Sequence, residues 1–196
     1  MIPKGEHSLI DFFDNSIKEH KDKPAYNCLG QTISYQEIEK LSAQFATYLI
    51  SECHLKKGDR VAIQLPNLIQ YPIVAWGIIR AGLIVVNTNP LYTERELLHQ
   101  FNDAGVIALI VLADFLPLIE KVAPKTKIKN IIATNAMDML QSQALPVNCC
   151  ENLISLHEAL ALGEGGYLPQ IDSDLDDIAV LQYTGCLLYT SDAADD

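Results

Sequence analysis

Four short apolar runs, at residues 61–65, 84–86, 108–112 and 128–133, constrain the fold more than any other feature of the chain. Each is too short for a typical helix and, apart from Gln64, Lys129 and Asn130, is apolar without strict alternation, which suits a strand covered on both faces. Helical periodicity fills the intervals between them. Strands alternating with helices over short connections form a parallel sheet with right-handed crossovers, so the expected class is α/β, a mostly parallel sheet flanked by helices.

The helix signals agree with that reading. Ser8 stands ahead of Leu9, Phe12, Phe13 and Ile17, a cap followed by one apolar stripe. Residues 25–29 and 31–34 read as a hairpin turning at Gly30. Ser34 and Glu37 have the spacing of a capping box, as do Thr93 and Glu96. The first box predicts a helix to about Glu52, and the second places Leu97, Leu98 and Phe101 on one face, with Gly105 ending the helix. Residues 68–81 are apolar nearly all round, which predicts a core helix rather than a membrane-surface one, with Pro72 in its first turn and Gly82 as its stop. A helix is expected over 115–122, one short helix over 153–162, a helix-ending flexible loop at 163–166 and a buried strand over 178–183.

Composition removes several function classes. The chain has 196 residues, 49% of them hydrophobic, and a formal net charge of -11 with no cluster of Lys and Arg. Such a chain can bury a core, and its charge opposes nucleic-acid binding, which depends on paired cations and phosphates. Cys28, Cys53, Cys149, Cys150 and Cys186 show no metal or redox spacing and are expected to be reduced. The acidic run Asp172, Asp174, Asp176 and Asp177 lacks the residues of a calcium loop and reads as a solvated loop. The start lacks a signal peptide, and no apolar run nears the ~20 residues of a membrane span, so a cytoplasmic location is expected. Peripheral contact with the cytoplasmic face of a membrane is compatible with this, since it needs only a local apolar or basic face.

Fold class alone does not give function. Three strings do more: Gly58-Asp59-Arg60-Val61-Ala62-Ile63-Gln64-Leu65-Pro66-Asn67, then Ile79-Arg80-Ala81-Gly82, then Val86-Asn87-Thr88-Asn89-Pro90-Leu91-Tyr92-Thr93-Glu94-Arg95-Glu96-Leu97. In order and spacing they resemble the adenylate-forming acyl-CoA synthetases, and are most similar to the bacterial long-chain fatty-acid CoA ligases. Leu181-Gln182-Tyr183-Thr184-Gly185 matches the opening of that family's Gly- and Thr-rich phosphate signature. The resemblance runs from Ser8 to Gly185. It implies ATP phosphate binding starting at Thr184 and Gly185, where Gly permits close backbone approach to a phosphate. It further implies ATP with a magnesium ion (Mg2+) and CoA as co-substrate, and a fatty acid activated as acyl-adenylate before thioester formation. The catalytic lysine, the magnesium ligand and the adenine contacts of the family would all follow Gly185.

Beyond Gly185 the pattern breaks. The family expects further small residues, but the chain reads Cys186-Leu187-Leu188-Tyr189-Thr190-Ser191-Asp192-Ala193-Ala194-Asp195-Asp196. That string resembles a translated sequencing adapter. The expected organisation is a partial AMP-binding domain over residues 1–185 and a foreign tail over 186–196, with no catalysis and no firm cofactor binding by this chain alone. The alternatives are a segment of a medium-chain or aromatic acid CoA ligase, or a non-catalytic binding lobe. A Rossmann oxidoreductase is opposed by the lack of a strand followed by GxGxxG.

Overall fold

A computed structural model of the chain describes residues 8–139, 150, 152–169, 171, 174 and 176–183. The four apolar runs become strands β3 (Arg60–Gln64), β4 (Ile84–Asn87), β5 (Ala108–Leu112) and β6 (Asn130–Thr134). A hairpin of β1 (Pro24–Cys28) and β2 (Gln31–Ser34) precedes them, and β7 (Leu153–Ser155) and β8 (Val180–Gln182) follow. One six-stranded sheet has the order β7-β6-β5-β3-β4-β8, and every pairing in it is parallel.

Strand residues sort alternately onto two cores because successive side chains of a strand point to opposite faces. Val61, Ile63, Ile110 and Ile132 face α2 (Tyr35–Ser51), α3 (Gln70–Arg80) and α6 (Leu156–Leu162). Ala62, Leu109, Val111 and Ile131 face α4 (Glu94–Ala104) and α5 (Leu116–Val122). All five residues of β5 are buried, as its unbroken apolar run predicts. The amino-terminal helix α1 (Leu9–His20) docks on α3, where Phe13 stacks on Trp76 with ring centroids 4.1 Å apart.

The caps form where the spacing placed them. Ser34 Oγ accepts from the Glu37 N–H at 3.2 Å while Glu37 accepts from the Ser34 N–H at 2.8 Å, and Thr93 with Glu96 repeats the arrangement. Pro72 is the third residue of α3, where its missing N–H leaves no broken helical bond. Gly105 closes α4 in the left-handed region at φ 64°. Arg60 Nε donates to the Ala104 carbonyl at 2.9 Å, satisfying one of the last carbonyls of that helix.

Three expectations are corrected. Residues 153–162 hold a strand and a helix, β7 then α6, because Ile131 to Ala133 of β6 offer a free edge that Leu153 to Ser155 take up in register. The last strand covers only Val180–Gln182, and with β4 as its one partner among the described residues Ile178 is 59% exposed and Val180 42%. Residues 163–166 are not merely a flexible helix end, for a Cβ on Gly163 would lie 1.9 Å from the Gln44 carbonyl oxygen of α2. Gly163 is what lets α6 approach α2.

Candidate functional site

The chain leaves β3 for α3 on one face of the sheet and leaves the neighbouring β4 for α4 on the other. Connections that part in this way open a crevice beyond the carboxyl ends of the strands, the usual ligand position in open α/β sheets. A polar group fills it here. Asn87, the last residue of β4, lies at its centre: Tyr71 from the first turn of α3 donates its hydroxyl hydrogen to Asn87 Oδ1, and Asn87 Nδ2 donates to Gln182 Oε1 at 2.7 Å. From the other face Gln100 Nε2 of α4 donates to the Asn87 carbonyl at 2.8 Å. One asparagine thus ties together α3, α4 and β8.

Gln64 at the end of β3 is fully buried and donates to the Pro90 carbonyl at 3.4 Å. The Oε1 atoms of Gln64 and Gln100 are buried and accept no hydrogen bond from any described residue. Buried polar groups are nearly always paired, so these two set the ground beneath the β4–α4 connection apart from the apolar core.

Tyr183 follows β8 directly. Its hydroxyl donates to Asp103 Oδ2 of α4 at 2.5 Å. Burial, together with that hydrogen bond and the charge of Asp103, pushes the Tyr183 phenol up to about 12. Tyr71 is likewise raised, chiefly by burial, with its bond to Asn87 acting against the shift. Both phenols therefore stay protonated at neutral pH and act as hydrogen-bond donors. The expected phosphate-binding residues Thr184 and Gly185 come next and lie outside the described residues.

Of the acidic run, Asp177 accepts from Lys57 Nζ at 2.8 Å and from the Asp174 N–H at 2.9 Å, and the lysine holds its carboxyl below the usual range. Asp172 lies outside the described residues. Among the described residues no group of three or more His, Cys, Asp or Glu could hold a metal ion, so no step through magnesium is derived from them. Cys28 and Cys53 are free thiols and half-buried, and Cys150 is half-buried. Among the described residues no helix is long and apolar enough to cross a membrane.

The hydrogen bonds that hold Gln182 and Tyr183 are not among the features the sequence announces. Asn87 lies inside one of the resembled strings, which is a signal of sorts. Gln100, Asp103 and Gln182 are separated from their partners by 13, 80 and 95 residues, and only the sheet order brings each pair together.

A parallel sheet with a polar cluster at the carboxyl ends of its strands is an α/β architecture that many nucleotide-binding proteins share. A profile of the AMP-binding enzyme family matches residues 13–186, and the chain belongs to that family. It is 39% identical over 192 residues to the long-chain-fatty-acid–CoA ligase of Haemophilus influenzae, covering 91% of this chain and 34% of that protein. Against the ligase of the same name from Escherichia coli it is 40% identical over 200 residues, covering 93% of this chain and 35% of the relative. The chain therefore spans about a third of the length of these curated relatives. Among solved structures, an anthranilate CoA ligase in complex with anthranoyl-AMP superposes with a TM-score of 0.78 at 20% identity, over 93% of this chain and 33% of that one. A long-chain-fatty-acid-CoA ligase from Archaeoglobus fulgidus gives 0.74 at 23% identity, over 93% and 35%. At such identities the likeness is one of fold, and it confirms the α/β class.

Proposed function

We propose that this chain is the amino-terminal part of an ATP-dependent long-chain fatty-acid CoA ligase, which joins a fatty acid to AMP with release of pyrophosphate and passes the acyl group to CoA. The observation that carries the proposal is the 39–40% identity to curated ligases of that name across nearly the whole chain. The crevice supports it, because β8 brings Tyr183 to the carboxyl edge of the sheet, where a following loop of small residues can turn its N–H groups toward a phosphate. In this reading residues 1–185 are the family segment, Thr184 and Gly185 begin the ATP-binding loop, and Cys186 to Asp196 are foreign to it. Magnesium would be held by residues of the longer enzyme, and its place is cytoplasmic, with peripheral contact at the membrane face where fatty acids enter.

The chain alone makes no thioester in this reading. Removing one oxyanion-type donor typically costs about 10² to 10³ in rate, and most of the phosphate and metal groups are missing together. The experiment is to continue residues 1–183 of this chain with the corresponding remainder of the Haemophilus influenzae ligase, and to assay thioester formation from ATP, CoA and oleate. Activity in the joined protein and none in the chain alone is the expected result. Preference of the joined protein for octanoate or benzoate over oleate would move the assignment to medium-chain or aromatic acids. Genomic DNA encoding Cys186 to Asp196 followed by a stop codon would leave a non-catalytic lobe instead.

A further inference from the structure

β8 has three residues, is exposed at Val180 and Gln182, and pairs among the described residues with β4 alone. So short a strand is weakly held by its backbone ladder. Its exit is nonetheless tied to both helical layers. Gln182 is bound through Asn87 to Tyr71 on the α3 side, and Tyr183 is bound to Asp103 on the α4 side. Asp103 is also a residue out of place by local rules. It is the penultimate residue of α4, where the negative end of the helix dipole disfavours a carboxylate and a Lys or Arg would be preferred. Residues that break a local rule tend to serve something other than the element that holds them.

We infer that Asp103 is a positioning residue: by accepting the Tyr183 hydroxyl hydrogen it fixes the point at which the chain leaves β8, while Asn87 fixes it from the opposite face. This rests on the reading of Thr184 and Gly185 as the start of the phosphate loop, since a fixed exit matters most where the next residues must meet a phosphate. A carboxylate accepting from a phenol is a charge-assisted hydrogen bond, stronger than a neutral one. Its loss should therefore free the exit without unfolding the central strands, to which Asp103 contributes no buried surface.

Amide hydrogen exchange on the full chain tests this apart from any ATP chemistry. Asp103→Leu and Tyr183→Phe are each expected to speed exchange of the amides over residues 181–183 by about tenfold or more, the scale of one charge-assisted bond. The double variant should add nothing further, because both changes delete the same contact. Asp103→Asn keeps an acceptor oxygen and should stay within about threefold of the unsubstituted chain. Amides of β3 and β5 should not change in any variant. Unchanged exchange in Asp103→Leu, or equal acceleration in Asp103→Asn, overturns the inference whatever the loop binds. In the joined ligase Asp103→Leu should raise the KM for ATP about tenfold and leave that for oleate within about twofold. Equal rises in both overturn the positioning role. An unsubstituted joined ligase that makes no thioester instead counts against the reading of the loop.

Discussion

β5 and β8 belong to the same sheet and are built on opposite terms. β5 has five residues, pairs with β3 on one side and β6 on the other, and every side chain is buried against one of two cores. β8 has three, pairs among the described residues only with β4, and leaves Val180 42% exposed. The centre of this sheet is held by packing, which many apolar residues could supply. Its working edge is held by particular polar contacts, which only a few residues can make.

Substitutions can break that contrast. Ile110→Ala in β5 should cost about 2–5 kcal/mol, the range for emptying a fully buried aliphatic site, whereas Val180→Ala in β8 should stay within about 0.5 kcal/mol. Urea unfolding of both variants checks this, and equal costs would mean that the two strands do not differ as described. Gly163→Ala should come next, at about 1–3 kcal/mol, because the added methyl meets the Gln44 carbonyl oxygen and α6 must move off α2. Gln64→Met should be mild, within about 1 kcal/mol of the unsubstituted chain, since the long hydrogen bond to the Pro90 carbonyl is lost together with a buried acceptor that no described residue satisfies, and the volume is kept. A larger loss would show that Gln64 belongs with the edge rather than the core.

The smallest effect concerns acid. Hydrogen bonds from the backbone and hydroxyl of Ser34 hold the Glu37 carboxyl below its ordinary value. A lowered carboxylate stabilises the fold above its unfolded pKa, and the gain disappears as pH falls through the folded one. Unfolding midpoints measured from pH 6 down to pH 3 should therefore fall less steeply for Glu37→Gln than for the unsubstituted chain. Parallel curves would place the acid sensitivity elsewhere.

The two regions also differ in how far they could be read from the chain. The apolar runs of β3, β4 and β5 and both capping boxes are local patterns, and local patterns survive folding because each residue's neighbours in sequence are its neighbours in space. Leu153 to Ser155 carry no alternation that sets β7 apart from α6; only the waiting edge of β6 makes them a strand. Ile178, Ala179, Val180 and Leu181 have the composition of a core strand, and the exposure of Val180 reflects that β4 alone pairs with β8 among the described residues. Of the site, the Tyr183-Thr184-Gly185 exit was legible as a family string. Its ties to Asn87 and Asp103 were not, because nothing in the spacing of those residues announces that α4 and β8 meet.

The position of β8 also carries a consequence for biosynthesis. β3 and β4 are joined by a short crossover, and the pairings of β5 and β6 are nearly as local, whereas Asn87 must wait for Gln182, 95 residues later in the chain. At about 5–20 residues per second on the ribosome, β4 is exposed for roughly 5–20 seconds before its outer partner is made. The central sheet can close in that interval, and β8 is added to a surface already formed.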